Sequence, residues 1–138
     1  MDHVAILSSK DWLDKIISGE KTIESRWTKN KIAPFEKISK GDKIYFKVSG
    51  KPVSAAANVC SVSFFNNPGA EGIRKILEKY SRQIGVEMSF YNQVKNKRYC
   101  TLIKINNARK ISPFTIDKKG YGNSVAWITV GDINKIRI

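Results

Sequence analysis

The chain has 138 residues, 41% of them hydrophobic, and carries 25 Lys and Arg against 12 Asp and Glu, a net charge of +13. That length suits one domain spanning residues 1–138, large enough to bury an ordinary core without staples. No run approaches the ~18 apolar residues of a membrane span, and Met1-Asp2-His3 places an acid where a secretory leader carries basic residues, so the expectation is a cytoplasmic chain with no membrane partner.

Val4 to Leu7 is a short apolar run that reads as a first strand. Ser8-Ser9-Lys10-Asp11 fits a helix start, and Trp12, Leu13, Ile16 and Ile17 then fall on one helical face. Gly19 closes this helix at the position where a left-handed residue is needed. Thr22 to Trp27 follows as a strand, and its alternation puts Thr22, Glu24 and Arg26 on one face with Ile23 and Ser25 on the other. Residues 28–42 read as loop, Lys43 to Val48 as a half-buried strand, residues 49–52 as a turn and Val53 to Phe65 as a long strand with a small-residue centre at Ala55-Ala56-Ala57. Asn66-Asn67-Pro68-Gly69 stops it.

Ile73, Ile76, Leu77, Tyr80 and Ile84 form the stripe of an amphipathic helix that ends at Gly85, with a second short helix expected over 87–95. Strands are expected at Arg98 to Ile105, near Ala108 to Ile111, at Val125 to Val130 and at Ile133 to Ile138, with a loop from Pro113 to Ser124. Five to seven strands with helices inserted at residues 9–18 and 70–95 predict an α+β chain, a small mixed β-barrel with flanking helices.

The charge is unevenly spread. Residues 91–138 hold ten basic and two acidic groups, whereas residues 1–50 hold ten and seven. A one-sided excess is the footprint of a polyanion binder, and it is also what a generally Lys-rich protein shows. The run Lys95, Lys97, Arg98, Lys104, Arg109, Lys110, Lys118 and Lys119 is the candidate surface for tracking a phosphate backbone. Cys60 and Cys100 lie in apolar strands and are expected as free thiols. Two cysteines and one histidine do not make a metal site, and nothing calls for a cofactor. Oligomeric state is left open, with a monomer as the expectation.

Gly19-Glu20-Lys21-Thr22-Ile23-Glu24-Ser25-Arg26 gathers Lys21, Glu24 and Arg26 at a helix–strand junction. They can form an ion network that holds the fold, or line a cleft for a phosphate and a polar base. Lys21 and Arg26 supply charged donors, and Glu24 is an acceptor for an exocyclic amine. Trp27, Tyr121 and Trp127 are candidate stacking faces, with Trp127 also reading as core. The Gly120-Tyr121-Gly122-Asn123-Ser124 loop can bring backbone N–H groups to a phosphate or be a plain turn.

The pattern Gly19, Lys21, Glu24, Arg26, followed by Gly41, Asp42, Ile44 and Phe46, resembles the ASCH domain family of the PUA-like superfamily. The resemblance implies a PUA-like barrel and a cleft around these residues for RNA or a nucleotide, with recognition of a modified or single-stranded base. Some relatives are amidohydrolases that deacylate a modified cytidine, with Thr at the position of Glu24 and Lys as the activating base; others resemble ribonucleases. A catalytic reading of this chain would therefore draw on Lys21, Thr22, Glu24 and Glu71, with Thr22 as an unmatched substitute hydroxyl. The binding reading draws on Lys21, Glu24, Arg26, Trp27, Lys95, Lys97, Arg98, Lys118, Lys119, Tyr121 and Asn123.

Overall fold

A computed structural model describes residues 1–122 and 125–138. Six strands, β1 (Asp2–Leu7), β2 (Ile23–Thr28), β3 (Lys43–Val48), β4 (Val53–Asn66), β5 (Tyr99–Phe114) and β6 (Trp127–Gly131), form one sheet in the order β2-β5-β4-β3-β1-β6. The sheet curls into a half-barrel with β2 and β6 as its two edges. Only β1 and β3 run parallel; the other neighbours are antiparallel. Helices α1 (Lys10–Ser18), α2 (Gly69–Ile84) and α3 (Tyr91–Val94) flank it. Among the described residues no helix is long and apolar enough to cross a membrane.

The core has three parts. Ile16, on α1, packs with Ala5, Phe46, Ala55, Ala57, Ile103 and Trp127. Val4, Tyr45, Ala56, Ile128 and Val130 form a second cluster. The α2 stripe of Ile73, Ile76, Leu77 and Ile84 lies on Ile23, Cys100 and Leu102, and burying each such aliphatic side chain is worth about 1.5–3 kcal/mol. The three consecutive alanines of β4 are fully buried and divide between two clusters, so both faces of that strand are covered and small side chains are what fit.

Two elements differ from the sequence reading. The segments at 98–105 and 108–111 are one continuous strand, β5, whose pairing with β4 slips near its middle. Asn107 there takes a left-handed backbone, φ 51°, which asparagine tolerates better than most residues, so the chain bends without leaving the sheet. Residues 133–138 are not a strand. Gly131, φ 83°, ends β6, and Ile133–Lys135 forms a 3-10 turn with the Asp132 side chain accepting from the Asn134 N–H at 2.9 Å. Ile133 and Ile136 are both buried, a spacing of three that suits this turn and not a strand. Among the described residues a single bridge, Arg137 to Ile116, is the remaining β contact. The strand expected from Val125 begins at Trp127.

Loop 28–42 is pinned at its end by Asp42. Its carboxylate is 2.8 Å from His3 Nε2, accepts the Ser39 N–H at 3.0 Å and meets the N-terminal ammonium at 3.4 Å. His3 is fully buried. The indole N–H of Trp127 donates to His3 Nδ1 at 3.3 Å; indole is a donor only, so Nδ1 is an acceptor and Nε2 carries the proton given to Asp42. One neutral imidazole thus ties β1, the loop and β6 together.

Burial lowers the His3 pKa from 6.5, against the Asp42 hydrogen bond that raises it. For Asp42, burial alone would raise the pKa, but hydrogen bonds from His3 and Ser39 outweigh it and the net shift is down. A folded pKa below the unfolded value means that stability is complete above the unfolded pKa and is lost as pH falls. Chemical-denaturation midpoints should therefore begin to drop below pH 6.5, the His3 window, with a further decline below 3.8, the Asp42 window. The upper decline should be absent in His3→Phe. A midpoint that instead rises as pH falls through 6.5 would refute the neutral assignment.

Candidate functional site

Helix α1 ends at Gly19, φ 82°, whose N–H bonds to Ile16 O. The chain then doubles back so that the Lys21 N–H reaches Lys15 O at 2.9 Å and the Thr22 N–H reaches Gln83 O at 2.9 Å. This brings Lys21 to the C-terminus of α2, where its ammonium donates to Ile84 O at 2.7 Å. A cation there satisfies a helix-end carbonyl and complements the negative end of the dipole. Lys21 is 4% exposed, with the Trp12 ring 5.2 Å away. Burial lowers its pKa, and nearby Glu24 opposes that shift. One of its three protons is committed to Ile84; two remain.

β2 carries the rest. Ile23 joins the α2 cluster, while Glu24 and Arg26 face a cavity of about 420 Å³. This is within the ~300–1,000 Å³ typical of small-molecule sites. The cavity sits at the open seam of the half-barrel, between β2 on one side and Ile6, Leu7 and Ala126 on the other. Trp12, Ile84, Val86 and Phe90 supply apolar wall. Arg26 spans the seam: its Nη1 donates to Ala126 O at 3.2 Å, its Nε lies 3.3 Å from Glu24 Oε1, and its guanidinium stacks 5.3 Å above the Trp127 ring.

Among the described residues, three buried polar atoms around this cavity have no hydrogen-bond partner: Glu24 Oε2, Arg26 Nε and Trp27 Nε1. The Glu24–Arg26 approach is an ion pair without hydrogen-bond alignment. All three residues line the same space. They present one acceptor and two donors, each costing about 1–3 kcal/mol when left unpaired in a buried place.

Among the sequence candidates, Lys21, Glu24, Arg26, Trp27 and Lys97 line this cavity together. Lys95 and Arg98 are exposed, and the Arg98 N–H bonds to Thr28 O at the end of β2. Lys118, Lys119 and Tyr121 lie in the loop after β5, outside the lining; burial lowers the Lys47 pKa, and the positive charge of Lys118 lowers it further. Asn123 lies outside the described residues. Thr22 is outside the lining, its backbone committed to Gln83 and Ile105. Glu71 is exposed in the first turn of α2, ion-paired with Arg74, and does not line the cavity. Trp127 is core and also the platform under Arg26. Trp12 and Phe90 were missed as site residues; the only available signal was an aromatic on the α1 core face and another in a short helix, both of which read as packing. Among the described residues no three His, Cys, Asp or Glu converge as a metal site. The buried Cys100 thiol is pushed far up by desolvation, which makes it inert.

No family model and no curated protein matches the chain. Solved structures do. The ASCH protein of Zymomonas mobilis has a TM-score of 0.70 at 16% identity, covering 94% of this chain and 87% of that one. A mutant form of the same protein gives 0.70, with 89% of it covered. The hypothetical protein PH0355 gives 0.54 at 21% identity, covering 80% of this chain and 100% of its own. At these identities the likeness is one of backbone: a mixed α+β half-barrel of six strands with helices against it. The chain has the ASCH-domain fold.

Proposed function

We propose that the seam cavity binds a nucleobase, presented by single-stranded RNA or by a nucleotide. The observation that carries this reading is the trio of unpartnered buried atoms, Glu24 Oε2, Arg26 Nε and Trp27 Nε1, around one cavity with aromatic walls. A heterocycle offers a flat apolar face and an edge of donors and acceptors, which is the complement of such a site. Glu24 Oε2 is an acceptor for an exocyclic amine. Trp12, Trp27 and Phe90 are the nearby aromatic rings, and base–aromatic stacking is worth about 1–3 kcal/mol per base. The net charge of +13 supports a polyanionic partner. Lys21 supports the site mainly by joining α2 to β2 and by standing beside Glu24.

A hydrolase reading has one observation in its favour, the pKa of Lys21 lowered by burial, as an activating base requires. Neither residue that the resemblance offered as its partner is in place, because Thr22 does not line the cavity and Glu71 is on the outside of α2; the hydroxyls that do line it are those of Ser8 and Ser25. Incubation with an acetylated cytidine should release no acetate above a buffer control. Steady turnover abolished by Lys21→Ala would reverse the order of the two readings.

Two titrations test the binding reading. Affinity for a short single-stranded RNA should fall steeply as salt rises, because each Lys or Arg contact with a phosphate displaces a condensed counterion. Glu24→Gln should weaken ligands with an exocyclic amine, cytidine and adenosine, by about 1–3 kcal/mol and uridine much less. Equal losses for all three would mean that Glu24 serves only to orient Arg26.

Trp27→Phe separates the site from the core. It removes a buried donor that has no partner, so the free protein should melt no lower than the parent, while nucleoside affinity falls by about 1 kcal/mol. A lower melting point with unchanged affinity would assign the indole to packing alone.

A further inference from the structure

The two ends of the cavity mouth differ in charge. At one end, Lys97 lines the cavity and is half-buried. It follows α3, its N–H bonding to Val94 O at 2.9 Å. Exposed Lys95 and Arg98 flank it, and the Arg98 N–H bonds to Thr28 O, which brings this turn against the end of β2 and the exposed Lys29. Among the described residues none of these four cations has a carboxylate within ion-pair distance.

The other end is different. Through shared lining residues, Trp12 and Phe90, the cavity adjoins two more open hollows around α1 and the C-terminal end of α2. Their lining carries four carboxylates, Asp11, Asp14, Glu20 and Glu87, against two cations, Lys15 and Arg82. Lys15 already donates to Gly85 O at 3.0 Å and packs 5.1 Å from the Trp12 ring. A phosphodiester at that end would meet carboxylates within about one Debye length, roughly 8–10 Å. At Lys97 the flanking charges, Lys95, Arg98 and Lys29, are all cations, and the one carboxylate in the cavity lining, Glu24, stands beside Arg26.

Resting on the base reading above, we propose that the cavity has a phosphate subsite at Lys97, so that a bound nucleotide is oriented with its phosphate toward Lys97 and a strand leaves over Lys95, Arg98 and Lys29. No strand crosses α1. The acidic end acts as a stop, and the protein takes a nucleotide with a fixed polarity in place of a base that could sit in either of two directions.

The test compares cytidine with cytidine 5′- and 3′-monophosphate by calorimetry on the full chain. One monophosphate should bind about tenfold more tightly than cytidine, the gain of a charge-assisted contact. Lys97→Met, which keeps the apolar stem, should close that gap; Lys97→Arg should retain it. Arg82→Ala, at the acidic end, should leave the gap open. If cytidine binds but neither monophosphate binds more tightly, or if the gap survives Lys97→Met or closes in Arg82→Ala, the phosphate subsite is wrong and the base reading stands. If neither cytidine nor its monophosphates bind, the base reading fails and takes this inference with it.

Discussion

The bond from the Lys21 ammonium to Ile84 O is the contact on which the site depends. It joins the turn after α1, the start of β2 and the end of α2, alongside the bonds from the Thr22 N–H to Gln83 O and from the Lys15 ammonium to Gly85 O. Without it, Ile84 O at the end of α2 would lose its donor, and a buried ammonium would lose its acceptor. Either defect is costly in a desolvated place. Gly85 shapes the joint through its left-handed backbone, φ 81°, which an L side chain rarely adopts; a Cβ there would make only an ordinary contact, 3.5 Å from the Lys21 Cβ. The helix end, the glycine and the lysine therefore form one joint, and the α2 wall of the cavity hangs from it.

With that joint made, the remaining charges of the motif are left partly unsatisfied. Glu24 is buried with one oxygen against Arg26 and the other without a hydrogen-bond partner among the described residues. An ion network built for stability would close such gaps, because removing a carboxylate from water is recovered only when its lone pairs are filled. The Glu24–Arg26 pair is misaligned for hydrogen bonding, and an indole donor beside it is also idle. The arrangement has the character of a site held ready for a ligand, at some expense of stability in the free protein.

Legibility in the sequence followed the range of each interaction. The face of α1, its glycine stop, the polarity of β2 and the stripe of α2 are local patterns, visible because helix and strand periods repeat over a few residues. The continuity of β5 was hidden by Asn107, since a polar pair in mid-strand reads as a break when the bend is not foreseen. The turn at Ile133–Lys135 was hidden because short apolar spacing at a chain end fits strand and 3-10 turn alike. The His3–Asp42–Trp127 group joins residues up to 124 positions apart, and no local rule reports that. Trp12 illustrates the same limit within the site. Its helical face was readable, but its service to both core and cavity follows from how α1 meets β2.

Arg26 shows why the seam of a half-barrel is a suitable place for a ligand. Sheet edges are liabilities, and a curled sheet that does not close leaves two of them facing each other. Here one guanidinium spans the gap: Nη1 holds Ala126 O, the plane stacks on Trp127, and Nε points at Glu24 without bonding to it. Arginine can do this because its donors are fixed in a rigid fork; a lysine would offer a single ammonium to all three partners. A ligand that engages Nε and Glu24 Oε2 adds bonds without breaking the one to Ala126. Binding and seam closure then favour the same state, so ligand occupancy should be linked to stability by mass action. On the proposed reading, the seam is at once the weak edge of the sheet and the place that a ligand would complete.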